Sequence, residues 1–164
     1  MLRALKHLFT PYWVVPMRFN ATLLDRVARI ISGVEQRRPG ELRFVVEHAL
    51  ELGDVLVDKV TPRQRALEVF GLLRVWDTEY NTGILIYVLL ADHAVEIIAD
   101  RGIARSVPEP HWTALCHEAE AAFRQGRYSE GSIRLLEEAA RLLDDNFPPR
   151  AQGRNELPDQ PLLL

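Results

Sequence analysis

Two apolar segments separated by a short polar turn constrain the fold of this chain most strongly. Residues 82–90 are almost entirely apolar, residues 95–99 form a second apolar segment, and Asp92 and His93 lie between them. Apolar segments of this length are typical of strands that are covered on both faces of a sheet. The polar residues between them predict a tight hairpin. Such a hairpin needs helices on both faces of its sheet.

The rest of the sequence supplies those helices and one further strand. Apolar residues recur at three- and four-residue spacing in four segments, which predicts helices over residues 22–38, 61–76, 111–125 and 129–144. Thr22 and Thr61 are the predicted N-caps of the first two helices. Alternation predicts a strand over residues 41–50, and residues 52–60 are compatible with a loop or a short helix. This order predicts an α/β fold with a small mixed sheet.

The two ends of the chain differ from this central domain, which we place at residues 20–149. Residues 1–19 form an apolar, aromatic segment that is interrupted by charged residues and prolines, and it lacks the features of a secretory signal. We expect an N-terminal arm that packs on its own domain; docking on a membrane surface or on a partner helix is the alternative. Residues 150–164 are polar and contain prolines, and we expect disorder there.

Composition excludes several classes of protein. The 20 basic and 23 acidic residues give a net charge of −3 and are interleaved along the chain, which argues against nucleic-acid binding. Cys116 is the single cysteine, so an internal disulfide and a cysteine zinc cluster are excluded. No segment reaches the roughly 18 apolar residues that a transmembrane span requires. We therefore expect a cytoplasmic protein.

Acidic and amide side chains collect at the ends of the predicted hairpin strands. Asp77, Glu79 and Asn81 precede the first strand, and Asp100 follows the second. A hairpin brings the start of its first strand beside the end of its second, so these oxygen ligands can meet at one rim of the sheet. Because Ca²⁺ accepts about six to eight oxygen ligands in irregular geometry, the pattern indicates a weak site for Ca²⁺ or Mg²⁺. Ordinary turn chemistry, with a pairing of Asp100 and Arg101, is the alternative.

The chain also resembles the TPM domain family through short motifs in a conserved order. The matching residues are 39–43, 63–70, 76–87, 92–93 and 99–103, followed by Trp112, Phe123, Gly126, Tyr128, Gly131 and Phe147-Pro148. The resemblance covers about residues 20–149. It implies a three-layer α/β/α sandwich around a sheet of about four strands, which agrees with the pattern of helices and strands.

The resemblance implies two kinds of function. Phosphatase activity with a divalent metal has been proposed for plant TPM domains, whereas related bacterial domains look like weak calcium binders. Bacterial short forms similar to this chain often accompany LemA-type helical membrane proteins, which implies a LemA-type partner bound through the N-terminal arm at the inner membrane. The chain departs from the family after Gly102, because no acidic residue follows before Glu109.

The leading hypothesis is a TPM-like binding module with weak divalent-cation binding and a membrane-linked partner. The alternative is a metal-dependent phosphatase acting on phosphomonoesters, in which Asp77, Glu79 and Asp100 hold a cation that polarises a phosphoryl oxygen. A third hypothesis is an assembly subunit whose apolar arm inserts into a neighbouring protein.

Overall fold

The structure is a computed structural model that describes residues 2–37, 40–148 and 156–164. The described residues form eight helices, which are α1 (Leu2–Leu8), α2 (Val14–Arg18), α3 (Ala21–Glu35), α4 (Leu52–Leu56), α5 (Pro62–Leu72), α6 (Arg101–Ala104), α7 (Glu109–Arg124) and α8 (Tyr128–Asn146). They also form four strands, which are β1 (Glu41–Glu47), β2 (Gly83–Leu89), β3 (Ala94–Ala99) and β4 (Leu162–Leu163).

The four strands form one mixed sheet with the order β3-β2-β1-β4. β1 and β2 are parallel, with Glu41 opposite Gly83 at one end and Glu47 opposite Leu89 at the other. α4 and α5 connect these two strands, as a parallel crossover requires. β2 and β3 are antiparallel, which confirms the predicted hairpin.

The sheet separates two hydrophobic cores. Phe44, Ile84 and Ile86 face the layer formed by α3, α7 and α8, whereas the alternate residues Val45 and Leu85 face the layer of α4 and α5. Every residue of β2 is buried, as expected for a central strand with helices on both of its faces. The predicted three-layer α/β/α fold is therefore confirmed.

Side-chain caps determine where α3 and α5 begin. The Thr61 side chain accepts the N–H of Gln64, and the Gln64 side chain accepts the N–H of Thr61, which forms the capping box of α5. The prediction of Thr22 as the N-cap of α3 is wrong, because the Asn20 side chain accepts the N–H of Leu23 at 2.9 Å. Asn20 has the extended backbone that an N-cap requires, whereas Thr22 already lies inside the helix.

The N-terminal arm, residues 2–19, packs on its own domain. Phe19 is fully buried in the core beneath α3, and His7 is buried at the other end of the arm. The N–H of Leu50, just after β1, donates to Nδ1 of His7 at 2.9 Å. Arg3 donates to the carboxylate of Asp92 in the hairpin turn at 2.9 Å. The arm therefore lies across the ends at which β1 and β2 finish.

The expectation of a disordered tail over residues 150–164 is wrong for residues 156–164. Leu162 and Leu163 form β4, which pairs in parallel with Val45 and Val46 of β1, and Leu157 is buried in the core. Composition did not predict this order, because the segment is stabilised by pairing with a strand that is distant in sequence and has no periodicity of its own. Residues 150–155 lie outside the described residues.

Candidate functional site

The hairpin brings two of the predicted cation-binding residues to the same rim of the sheet. The N–H of Asp100 donates to the carbonyl of Gly83 at 2.9 Å, and the N–H of Gly102 donates to the carbonyl of Asn81 at 2.9 Å. These bonds fix the segment that follows β3 against the segment that precedes β2. The rim therefore has the adjacency of Asn81 and Asp100 that the sequence predicts.

Gly102 makes this close approach of the two backbones possible. A Cβ atom at Gly102 would lie 2.5 Å from the carbonyl oxygen of Tyr80 and 2.6 Å from that of Asn81, inside van der Waals contact. Asn81 itself has a positive φ of 56°, a conformation that asparagine tolerates better than most residues. Gly102 and Asn81 are thus residue types that suit the backbone conformation and close contact found at this rim.

Three of the four predicted ligands already have partners within the rim. Asp77 forms an exposed ion pair with Arg74, with Oδ2 and Nη2 separated by 2.7 Å. Oδ1 of Asn81 accepts a hydrogen bond from Nη2 of Arg101 at 2.8 Å. Oδ1 of Asp100 accepts the N–H of Arg101 at 2.7 Å and so caps α6. Each of these three residues therefore contacts an arginine that is close to it in the rim.

Glu79 and Asp100, two of the four predicted ligands, differ in solvent exposure. Glu79 is exposed, and its N–H donates to the carboxylate of Glu156 at 2.9 Å. Asp100 is buried, and its Oδ2 atom has no hydrogen-bond partner. Within the described part of the chain, no three His, Cys, Asp or Glu side chains are placed to hold a metal ion together. Asp77, Glu79 and Asp100 therefore do not form one three-carboxylate cluster, and cation binding at the rim stays a prediction.

Sequence comparison identifies the family of the chain. Residues 19–142 match the family model of the TPM domain. The chain belongs to the TPM domain family. No curated protein is significantly similar to it in sequence. The matched region excludes most of the N-terminal arm and all of the segment 156–164.

Two solved structures share the fold of this TPM domain. The NMR structure of the BA42 protein from the psychrophilic bacterium Bizionia argentinensis sp. nov. is 26% identical, with a TM-score of 0.76, and the similarity covers 88% of this chain and 94% of that chain. The solution NMR structure of the N-terminal domain of a P. gingivalis protein is 17% identical, with a TM-score of 0.66 and 82% of each chain covered. The second similarity shows the fold alone.

A partly buried ion pair that the sequence analysis missed joins the sheet to α5. Glu47, at the end of β1, accepts hydrogen bonds from Nε and Nη2 of Arg65 at 3.0 and 2.9 Å, and from the hydroxyl of Tyr87 at 2.5 Å. Burial raises the pKa of Tyr87, and the neighbouring Glu47 carboxylate raises this pKa further. All three polar groups have partners, so this network holds the TPM core together and leaves no free group for a ligand.

The N-terminal arm carries a group of exposed large apolar side chains, of which Tyr12 also has an edge contact with the ring of His48. Residues 1–19 contain three basic residues and no acidic residue. The arm exposes large apolar side chains, of which Leu2 is 78%, Phe9 74% and Trp13 63% accessible. The complete set of exposed large apolar residues in the arm is Leu2, Leu5, Leu8, Phe9, Tyr12, Trp13 and Met17. We call these seven side chains the arm surface.

A basic groove lies beside the arm surface. It has a volume of about 500 Å³ and is lined by Met17, Arg18, His93, Arg124 and Tyr128, among others. The guanidinium of Arg18 lies over the ring of Tyr128, 4.8 Å from its centroid. Burial lowers the pKa of His93, the positive charges of Arg18, Lys6 and Arg124 lower it further, and the neighbouring Asp92 carboxylate opposes this shift. Basic side chains thus surround His93 next to the arm surface, although Arg124 is also paired with Glu120 at 3.0 Å.

Among the described residues, none of the helices combines the length and apolar character that crossing a membrane would require.

Proposed function

We propose that this TPM domain is a binding module that associates peripherally with an anionic membrane surface through its N-terminal arm. The observation that carries the proposal is the arm surface, whose exposed leucine and aromatic side chains lie on the same arm as Lys6 and Arg18. The third basic residue of the arm, Arg3, is paired with Asp92 of the hairpin turn. A LemA-type membrane protein, which the family resemblance implies, is the partner that we propose the domain meets there.

The chemistry of the arm surface suits the interface of a bilayer better than bulk water. Tryptophan and tyrosine favour the headgroup region of a membrane, because their rings are apolar and their N–H or O–H group stays hydrated. Trp13 and Tyr12 are both more than half exposed, and in α1 the three-residue spacing of Leu2 and Leu5 puts both on one face. Burying such side chains in lipid contributes roughly 25 cal/mol for each Å² of apolar area removed from water.

The charges add a preference for anionic lipid. Each basic side chain near an anionic surface contributes about 1 kcal/mol to binding, and this contribution decreases with salt. Lys6 lies within α1, and Arg18 lines the adjacent groove together with Arg124. An anionic headgroup that enters this groove would meet the guanidinium of Arg18, whereas Arg124 is already paired with Glu120 at 3.0 Å.

Substitution of Trp13 by serine tests the proposal. We expect the full chain to cosediment with vesicles that contain phosphatidylglycerol and not with pure phosphatidylcholine vesicles, and we expect Trp13→Ser to reduce the bound fraction about fivefold. Trp76→Ser is the matched control, because Trp76 is also exposed but lies beside the rim at the opposite end of β2. Equal binding of wild type and Trp13→Ser, or no binding of wild type to either vesicle, would contradict the proposal.

Weak Ca²⁺ binding at the rim is a second proposal, which the partnerless Oδ2 atom of buried Asp100 favours. We expect a Ca²⁺ titration of the full chain, followed by NMR, to shift amide signals of residues 76–83 and 100–103 only. Asp100→Asn should abolish the shifts because an amide replaces the carboxylate, whereas the exposed control Asp58→Asn should retain them. Shifts that persist in Asp100→Asn would contradict this cation site. The alternative of a metal-dependent phosphatase requires, in addition, that the chain hydrolyses a phosphomonoester.

A further inference from the structure

The segment 156–164 lies along the outer edge of β1 in the manner of a bound peptide. Leu162 and Leu163 pair in parallel with β1. The N–H of Leu164 donates to the carbonyl of Val46 at 2.8 Å, and the N–H of His48 donates to the carbonyl of Leu164 at 3.1 Å. Without this segment, these groups of β1 would lie at an open sheet edge, which proteins usually protect.

Side chains of the β1 strand also bind the backbone of the segment. Nη1 of Arg43 donates to the carbonyls of Pro158 and Gln160 at 2.7 and 2.6 Å. Oε2 of Glu41 accepts the N–H groups of Glu156 and Leu157 at 3.1 and 3.3 Å. These bonds use backbone atoms of the segment, so they do not depend on its side chains. Recognition of a peptide through strand pairing and through hydrogen bonds to its backbone is typical of β-strand addition.

One side chain anchors the segment, and two others follow it on the same face. Leu157 is 8% exposed and belongs to the core of the α5 layer. Leu162 and Leu164 pack against the same core, whereas Leu163 packs against the opposite one. This alternation is the one that a strand between two covered faces must have. The edge of β1 thus selects an extended peptide with an apolar anchor and apolar residues at alternate positions.

The segment occupies this edge incompletely. Only two of its residues pair with β1, although β1 has seven residues. Pro158 and Pro161 cannot donate a backbone hydrogen bond, so they cannot extend the ladder. The segment is joined covalently to the domain, and such a tether corresponds to an effective concentration in the millimolar range. The tether therefore compensates for a short and proline-interrupted pairing.

We propose that the outer edge of β1, with Glu41, Arg43 and His48, is a β-strand-addition site for a partner protein, and that the segment 156–164 is its exchangeable ligand in cis. The occupant is an extended, proline-free strand of the partner with apolar residues at alternate positions. Such a strand can extend the pairing from Val46 towards Phe44, whereas the N–H of Leu42 is already bound by Oε1 of Glu35. A second copy of this chain offers the same short segment and gains no additional hydrogen bond.

A labelled synthetic peptide tests this site in the full chain. The probe is the sequence of residues 156–164 with valine in place of both prolines. We expect the variant Leu162→Asp, whose own segment is weakened, to bind the probe about tenfold more tightly than wild type. Leu72→Asp is the control, because Leu72 is exposed on α5 away from the edge, and Arg43→Gln added to Leu162→Asp should remove most of the gain.

Hydrogen exchange of the wild-type chain supplies a second readout that does not depend on a variant. We expect the His48 amide to exchange at least about tenfold faster than the Ile86 amide in β2, because the segment opens without global unfolding. Equal protection of the two amides, or the same probe affinity for wild type and Leu162→Asp, would overturn the proposal. A concentration-dependent dimer that exchanges the segment would overturn the assignment to a partner protein.

Discussion

Replacing Gly83 with alanine will lower the free energy of unfolding by about 3 kcal/mol or more. Gly83 is the first residue of the central strand β2, and a Cβ atom there would lie 1.8 Å from the carbonyl oxygen of Val75. The carbonyl carbon of Val75 would be 2.8 Å away. These are backbone atoms, and Val75 is fully buried, so no side-chain rotation can relieve the overlap.

Urea denaturation of the two proteins measures this effect. Gly71→Ala is the matched control, because Gly71 lies in α5 and a Cβ atom there would meet nothing within 4 Å. Alanine should stabilise that helix by about 0.5–1 kcal/mol, since it has less backbone entropy to lose than glycine. A Gly83→Ala protein that unfolds at the wild-type urea concentration would contradict the packing described for the rim.

The architecture of the core could be predicted because its signals are local. The fully apolar segment that became β2 and the polar residues Asp92 and His93 together determine a hairpin between two covered faces. The capping box at Thr61 could be recognised from the spacing to Gln64. The N-cap of α3 was placed two residues too late, because Asn20 and Thr22 are both good caps and periodicity alone does not choose between them.

The rim could be predicted only in part, because chain topology determines proximity but not pairing. The hairpin requires Asn81 and Asp100 to be close, and they are. The choice of partners depends on side-chain rotamers, which strand spacing does not specify. Arg74 lies three residues before Asp77, and this spacing was the available signal for their ion pair. The tail had no such signal, since β4 has two residues and depends on a strand more than one hundred positions away.

The N-terminal arm, most of which lies outside the family match, covers the end of the sheet at which an open α/β fold usually binds ligands. Ligands of such folds bind beyond the carboxyl ends of parallel strands. In this TPM domain, the His7 side chain accepts the N–H of Leu50 there, and its Nε2 atom lies 3.2 Å from the carboxylate of Asp92. The arm thus lies over this end of the parallel strands.

Replacing Glu35 with glutamine will stabilise the domain by about 2 kcal/mol at pH 8 and will have little effect near pH 5. Glu35 ends α3 and is 4% exposed, with Oε1 accepting the N–H of Leu42 at 2.7 Å. Burial raises the pKa of this carboxyl to about 9; the Leu42 N–H opposes the shift, and the carboxylates of Glu41 and Asp159 increase it. Glutamine keeps an acceptor oxygen for Leu42 and has no proton to lose.

The sign of the effect follows from the proton that the folded chain retains. The ordinary pKa of 4.5 applies to the unfolded chain, so between 4.5 and about 9 the unfolded state has lost a proton that the folded state still binds. Stability contributed by this group is therefore complete below pH 4.5 and decreases as the pH rises through that window. The Glu35→Gln protein lacks this decrease, so the difference between the two proteins grows with pH.

Urea denaturation at pH 5 and pH 8 checks this prediction, with Glu137→Gln as the control for loss of one negative charge at an exposed helical position. A stability difference between wild type and Glu35→Gln that is equal at the two pH values would contradict a protonated Glu35.

Asp159 belongs to the segment 156–164, so ionisation of Glu35 places two like charges between α3 and that segment. Alkaline pH should therefore also release the segment from β1, and Glu35→Gln should retain it.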